Sequence, residues 1–346
     1  MFASVVYVLA FLAHLAEWVF GGRSRIAVQS AALVTEAAPA DRAAKAGPKV
    51  TVTTAAGGTA TLARPKVVTR ASASDRGFAD GPGAAGGSEK GDLYGRIAIS
   101  FTVLAWLLHL GGVAFRCASV QRAPWGNMYE FSTTFSMVAV GAYLGFLVAK
   151  KNVRWIGLPL VTTVLLDLGL AITVLYTESD QLVPALDSYW MWIHVSLAIV
   201  CGALFYLGAV STLLYLFRDR YEAKLESGGK PGAFSSSVLE RLPSSASLDN
   251  FAYRINAAVF PFWTFTIIAG AIWAESAWGR YWGWDPKEVW SFITWVAYAA
   301  YLHARATAGW KGRKAAYLVL IAFACFLFNY YGVNIFVGGK HSYAGV

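Results

Sequence analysis

Along the chain, apolar residues gather in runs of about 20, the length that one helical crossing of a bilayer needs, and polar residues gather between them. The runs fall near residues 2–20, 97–115, 131–149, 155–176, 190–217, 254–274, 289–305 and 315–337, which predicts eight membrane-spanning helices. The expected fold is all-α, a polytopic transmembrane helical bundle. The first run carries its charge mostly after the apolar stretch and has no obvious small-residue cleavage site, so it reads as an N-terminal anchor (residues 1–20) rather than a cleaved signal.

Composition agrees with that class: 57% of the 346 residues are hydrophobic and 14% charged. Charge adds the orientation. Placing residues 21–96, 150–154, 218–254 and 303–315 in the cytoplasm puts 24 of the 29 Lys and Arg inside, so both termini face outward. The expected location is the plasma (inner) membrane, multi-pass, with the working face on the extracytoplasmic side. The net charge of +9 is then mostly a topology signal, and no basic and aromatic array argues for nucleic acid. Residues 21–93 are rich in Ala, Gly, Thr and Ser, include "DGPGAAGGSEKGD", and read as a cytoplasmic disordered linker. That leaves residues 94–346 as the functional core.

Cys117, Cys201 and Cys325 are far apart and no Cys-x-x-Cys occurs, which excludes a thioredoxin-like redox site and a self-attached c-type haem. Each cysteine reads as a small packing residue. Phosphate-binding glycine loops, nucleophile elbows and zinc-binding spacings are absent too.

Five histidines remain, and a histidine inside a span is costly unless paired. His14 and His109 fall in the first and second spans and His303 late in the seventh, where helix-to-helix hydrogen bonding competes with ligation as an explanation. His194, in "LDSYWMWIHVSL", and His341, in "GGKHSYAG", both fall at the outer face, as does "WGRYWGWDPKEVW", Trp278 to Trp290, between spans six and seven. Two imidazoles can bind iron from both axial sides while indole rings cover a porphyrin without adding charge, so a haem is the ligand that suits this set. Arg280 and Lys287 could pair with its propionates. An interfacial aromatic belt accounts for Trp190, Trp192, Trp263 and Trp310, but it does not call for glycines among the tryptophans of "WGRYWGWD". Asp285 and Glu288 fit a capping box with Pro286 at the first helical position, which gives Asp285 the task of fixing the loop's exit. Asp167, in "TVLLDLGLAI", is open to two readings, a proton path or partner contact on one side and a helix-to-helix hydrogen bond on the other.

"WGRYWGWDPKEVW" resembles the WWD signature of haem-handling membrane proteins. "APWGNMYEF" (Ala123 to Phe131) and "GVNIFVGGKHSYAG" (Gly332 to Gly345) resemble companion motifs of the CcsA/ResC family of cytochrome c biogenesis, over about residues 94–346. The resemblance implies a cytochrome c synthase (haem lyase) subunit that carries haem b to the outer face for thioether attachment to the Cys-x-x-Cys-His motif of apocytochrome c. It implies a ResB/CcsB-type membrane partner and a thioredoxin-like thiol reductant. By position, His194 and His341 correspond to the family's external haem ligands and His303 to an internal one. Trp278, Trp282, Trp284, Asp285 and Trp290 belong to the haem-binding loop at 275–290. The second internal ligand comes from the ResB part in fused versions, so a partner histidine, His14 or His109 stands open here. A haem exporter or chaperone would need the same external site and is the alternative function; a haem-independent transporter would treat these histidines as packing groups.

Overall fold

A computed structural model describes residues 2–21, 52–53, 59–60, 77–181 and 184–341 of the chain. Most of the linker expected over 21–93 lies outside the described residues. Within it, Val52–Thr53 pairs antiparallel with Thr59–Ala60. The described remainder is an all-α membrane bundle. Helix α1 covers Phe2–Gly21, α2 Glu89–Val120, α3 Met128–Val148, α4 Gly157–Thr173 and α5 Tyr189–Glu226. After the short α6 (Ala233–Leu239) come α7 (Ser245–Trp278), α8 (Pro286–Ala306) and α9 (Arg313–Leu327). The chain continues from α9 through one π-helical segment, Phe328–Gly332, into α10 (Val333–Phe336).

Seven helical stretches are long and apolar enough to cross a membrane. The eighth expected crossing is α8, whose 21 residues span about 31 Å but carry charge at both ends, which keeps its hydropathy below that of the others. It nevertheless runs the length of the bundle. Arg305, in its last turn, meets Asp249 at the start of α7 at 2.6 Å, while Asp285, its N-cap, meets His341 beyond α10.

Packing is tightest between α5 and α7 and between α1 and α2, with α3, α4, α8 and α9 closing around them. Aromatic rings fill the centre: Phe205 of α5 stacks on Tyr298 of α8 at 3.9 Å and meets Trp263 of α7 edge-on. α1 is part of this core. Buried Glu17 receives Arg154 at 2.8 Å, Arg154 also reaches Asp92 of α2, and Arg241 donates to the Trp18 and Ala84 carbonyls. Residues 77–88 therefore do not behave as linker: the Gly81 and Gly83 N–H groups bond to the carbonyls of Leu242 and Arg241, and α2 starts at Glu89, N-capped by Ser88, instead of at 94. Low apolar content hid this boundary, because the segment is held mostly by backbone hydrogen bonds, with little more than Ala84 reaching the core.

Phe2 lines the same groove as Arg116 and Glu130, and the turn just before Glu130 lines a cavity shared with His341. Both described ends of the chain thus lie at one end of the bundle. Asp167 accepts hydrogen bonds from Ser136 of α3 at 2.5 Å and from Tyr331 of the π segment at 2.8 Å, the helix-to-helix tie of its two readings.

Candidate functional site

The site is built where α7 hands over to α8. Gly279 ends α7, and six residues later Asp285, Pro286 and Glu288 open α8 with a complete capping box. Glu288 gathers the loop inward, accepting from the N–H of Gly283 at 2.8 Å, the N–H of Asp285 at 3.0 Å and the Arg280 guanidinium at 3.1 Å. Gly283 leaves room for the Arg280 guanidinium, which lies across it where a Cβ would be. The glycines among the tryptophans therefore serve a compact, charge-pinned crossing.

The last described residues are stapled to this loop. Asp285 Oδ2 accepts the Lys340 N–H at 2.7 Å, and Asp285 Oδ1 accepts both the Lys287 N–H at 3.1 Å and His341 Nδ1 at 2.8 Å. Burial raises the Asp285 carboxyl, but the hydrogen bonds from His341, Lys340 and Lys287 and the His341 charge outweigh it and bring it down to about 2. An ionised carboxylate can only accept, so His341 Nδ1 carries the hydrogen, and whenever the ring is neutral its lone pair lies on Nε2. The edge of the ring packs on Trp278 at 4.8 Å.

His194, one turn into α5, reaches the same condition by another route. Its Nδ1 lies 2.8 Å from the Thr266 carbonyl of α7, again an acceptor, which puts the lone pair on Nε2. Gly270 makes room for the ring, since a Cβ there would sit 2.6 Å from His194 Cε1. Trp273 flanks the imidazole at 5.9 Å.

Both histidines line one cavity, about 1350 Å³ with the space at its mouth included. Trp278, Trp282 and Lys287 line it as well. Asp285 does not and acts through His341. Trp290 turns away and packs on Phe328 at 4.3 Å, and Trp284, held in a left-handed conformation at φ 58°, is 74% exposed at the rim. Both cations expected to meet propionates already have protein partners, Arg280 through Glu288 and Lys287 through the Asn329 carbonyl at 2.9 Å.

The other histidines stand apart. His303 is exposed on α8, near the opposite end. His14 is fully buried between Glu17 and Thr102, at 3.4 Å from each, and His109 meets the Tyr7 hydroxyl at 3.4 Å. Sequence reasoning missed Thr266, Gly270 and Trp273, and it singled out the motif around Trp125 without giving that residue a place in the cavity. The first three lie on one stripe of α7 at helical spacing, a signal that marks a buried face but not which cavity it lines.

Among the described residues no three His, Cys, Asp or Glu side chains converge as they would around a bare metal ion. A porphyrin iron asks for less, because the macrocycle fills four positions and the protein adds at most two axial ligands. Two imidazoles with fixed tautomers in an aromatic cavity fit that need.

Comparisons with known proteins agree with the region this site occupies. The family described as "Cytochrome C assembly protein" matches residues 99–341. The cytochrome c biogenesis protein CcsA of Trieres chinensis is 36% identical over 245 residues, covering 64% of this chain and 77% of that one. The CcsA proteins of a Synechococcus elongatus strain and a Synechocystis strain are 35% and 34% identical over 255 and 265 residues, covering 64% of this chain and 78% and 79% of theirs. The chain belongs to the CcsA family of cytochrome c assembly proteins.

Proposed function

We propose that this protein is the haem-presenting subunit of a cytochrome c synthase, holding haem b at the outer membrane face between His194 and His341. The observation that carries the reading is the pair of imidazoles in one aromatic cavity, each with Nδ1 committed to a fixed acceptor and its lone pair on Nε2. When bound, haem supplies two vinyl groups, to each of which a substrate thiol adds its sulfur and its hydrogen with no net oxidation.

The chain's own residues do the positioning. His194 and His341 would hold the iron, Asp285 and the Thr266 carbonyl keep those rings in orientation, and Trp278 and Trp282 would cover the macrocycle and keep water from it. No side chain of this protein is needed as a covalent nucleophile, because the thiols belong to the Cys-x-x-Cys-His motif of apocytochrome c. Among the described residues, the excess of basic residues at the opposite end of the bundle supports an outward-facing site.

His303 belongs to an internal haem site on the entry path, completed by a histidine of a ResB/CcsB-type partner. Its exposure on α8 and the engagement of His14 and His109 within the core favour a ligand from the partner over either of them. A thioredoxin-like protein keeps the substrate thiols reduced.

The test is c-type cytochrome formation in cells carrying His194→Ala, with and without added imidazole. Maturation should fall by roughly a hundredfold or more and recover in part with imidazole, which can occupy the vacated axial position. Full maturation without rescue would contradict the assignment.

A further inference from the structure

Donors without acceptors collect in the cavity. The indole Nε1 atoms of Trp125, Trp263 and Trp273 are buried with no hydrogen-bond partner, and all three residues line it. An indole N–H can only donate, and a buried donor left unpaired is destabilising, so three in one cavity mark a place for acceptor atoms of a ligand. Trp263 packs against Phe205 and Phe326 in the core. Trp273 lies beside His194, and Trp125 meets Trp192 edge-on at 5.4 Å.

Trp125 is held in place with some care. Buried Glu130 accepts from Arg122 at 2.7 Å, from Arg116 at 2.9 Å and from the Gly126 N–H at 2.8 Å. Asn127 caps α3, and Thr134 donates to the Pro124 carbonyl at 3.0 Å. Such a network around a four-residue turn fixes the turn, and what the turn presents to the cavity is Trp125, Gly126 and Asn127.

We infer that the indole N–H groups of Trp125 and Trp273 receive the carboxylates of the bound porphyrin, with Glu130 as the positioning residue for Trp125. The inference rests on the haem reading above. The two carboxylates are the only strong acceptors on the rim of haem b, and the Arg280 guanidinium expected to meet them is held by Glu288 and does not line the cavity. Holding the carboxylate edge also sets the direction of the opposite, vinyl-bearing edge, where the thiols must arrive.

The full-length protein in detergent can be titrated with haem and with haem dimethyl ester, whose acceptors are uncharged and weaker, following the low-spin Soret band. The wild type should prefer haem by roughly tenfold or more, as expected for hydrogen bonds to a charged group. Trp125→Phe and Trp273→Phe should each cut that preference several-fold while leaving the diester's affinity and low-spin spectrum in place. A wild type that does not discriminate, or Phe variants that weaken both ligands equally, would overturn the inference while leaving the histidine site standing. A wild type that gives no low-spin spectrum with either ligand would instead remove the haem reading and this inference with it. Should one variant fail to fold, the other decides, since the two residues come from different elements.

Discussion

His194 and His14 are both imidazoles in apolar helices, the first half-buried and the second fully buried, and their surroundings differ in what they leave available. His14 is enclosed: Glu17 and Thr102 lie 3.4 Å from its two nitrogens, and Gly157 packs so closely that a Cβ would overlap the ring. His194 has one nitrogen tied to the Thr266 carbonyl at 2.8 Å and borders a cavity that it shares with His341. Burial makes any histidine look functional in a membrane protein. The difference teaches that the informative features are one committed nitrogen and open space for the other. At one end of the bundle the imidazole joins helices, and at the other it borders a cavity.

The comparison can be broken most forcefully at Gly270. Gly270→Ala puts a methyl 2.6 Å from His194 Cε1 and must displace the ring, so haem affinity should fall on the order of a hundredfold while thermal unfolding stays close to wild type. Unchanged affinity would mean that the Thr266 contact does not set the ligand geometry. Asp285→Asn keeps the shape of the staple but removes its charge. Haem binding should weaken by about tenfold, as for other residues that orient a metal ligand, and a titration with haem checks it.

His14→Ala sharpens the contrast from the other side. It should cost about 2–3 kcal/mol in a thermal or denaturant unfolding measurement, through the cavity left beside Gly157 and the lost contacts to Glu17 and Thr102, and should leave the haem spectrum unchanged. A spectrum altered by His14→Ala would assign a ligand role to that histidine after all.

The smallest effect is one of pH. The Asp285 carboxyl is depressed from 3.8 to about 2, so its stabilisation is fully present above 3.8 and lost as pH falls through about 2. The stability difference between wild type and Asp285→Asn should therefore persist down to about pH 5 and decline as the pH falls from about 4 towards 2, in unfolding midpoints measured across that range. A difference already lost at about pH 5 would show the staple to be weaker than its hydrogen bonds suggest.

Much of this architecture is legible in the chain itself. Apolar runs of about 20 residues announce the helices, and "WDPKE" announces the start of α8. Counting crossings brings His194, His341 and the tryptophan loop to one face. What counting cannot supply is contact across helices. The partner of His194 is a backbone carbonyl, a group every residue possesses, and Trp125 arrives from a turn 69 residues earlier in the chain. Asp285 shows both sides: its capping role follows from spacing along the chain, whereas its hold on His341 depends on the chain returning 56 residues later. Trp284 and Trp290 share the loop with Trp278 and Trp282 but not the cavity lining, because the left-handed turn at Trp284 and the first helical turn of α8 point their rings elsewhere.

The most direct test of the central claim is the visible absorption spectrum of the detergent-purified protein, oxidised and reduced, for wild type, His194→Ala and His341→Ala, each expressed with a ResB-type partner. The account predicts a low-spin, bis-histidine Soret and α-band pattern in the wild type that weakens in both variants and is partly restored by imidazole. A wild type that remains colourless with its partner and ample haem, or a low-spin spectrum indifferent to both substitutions, would contradict it.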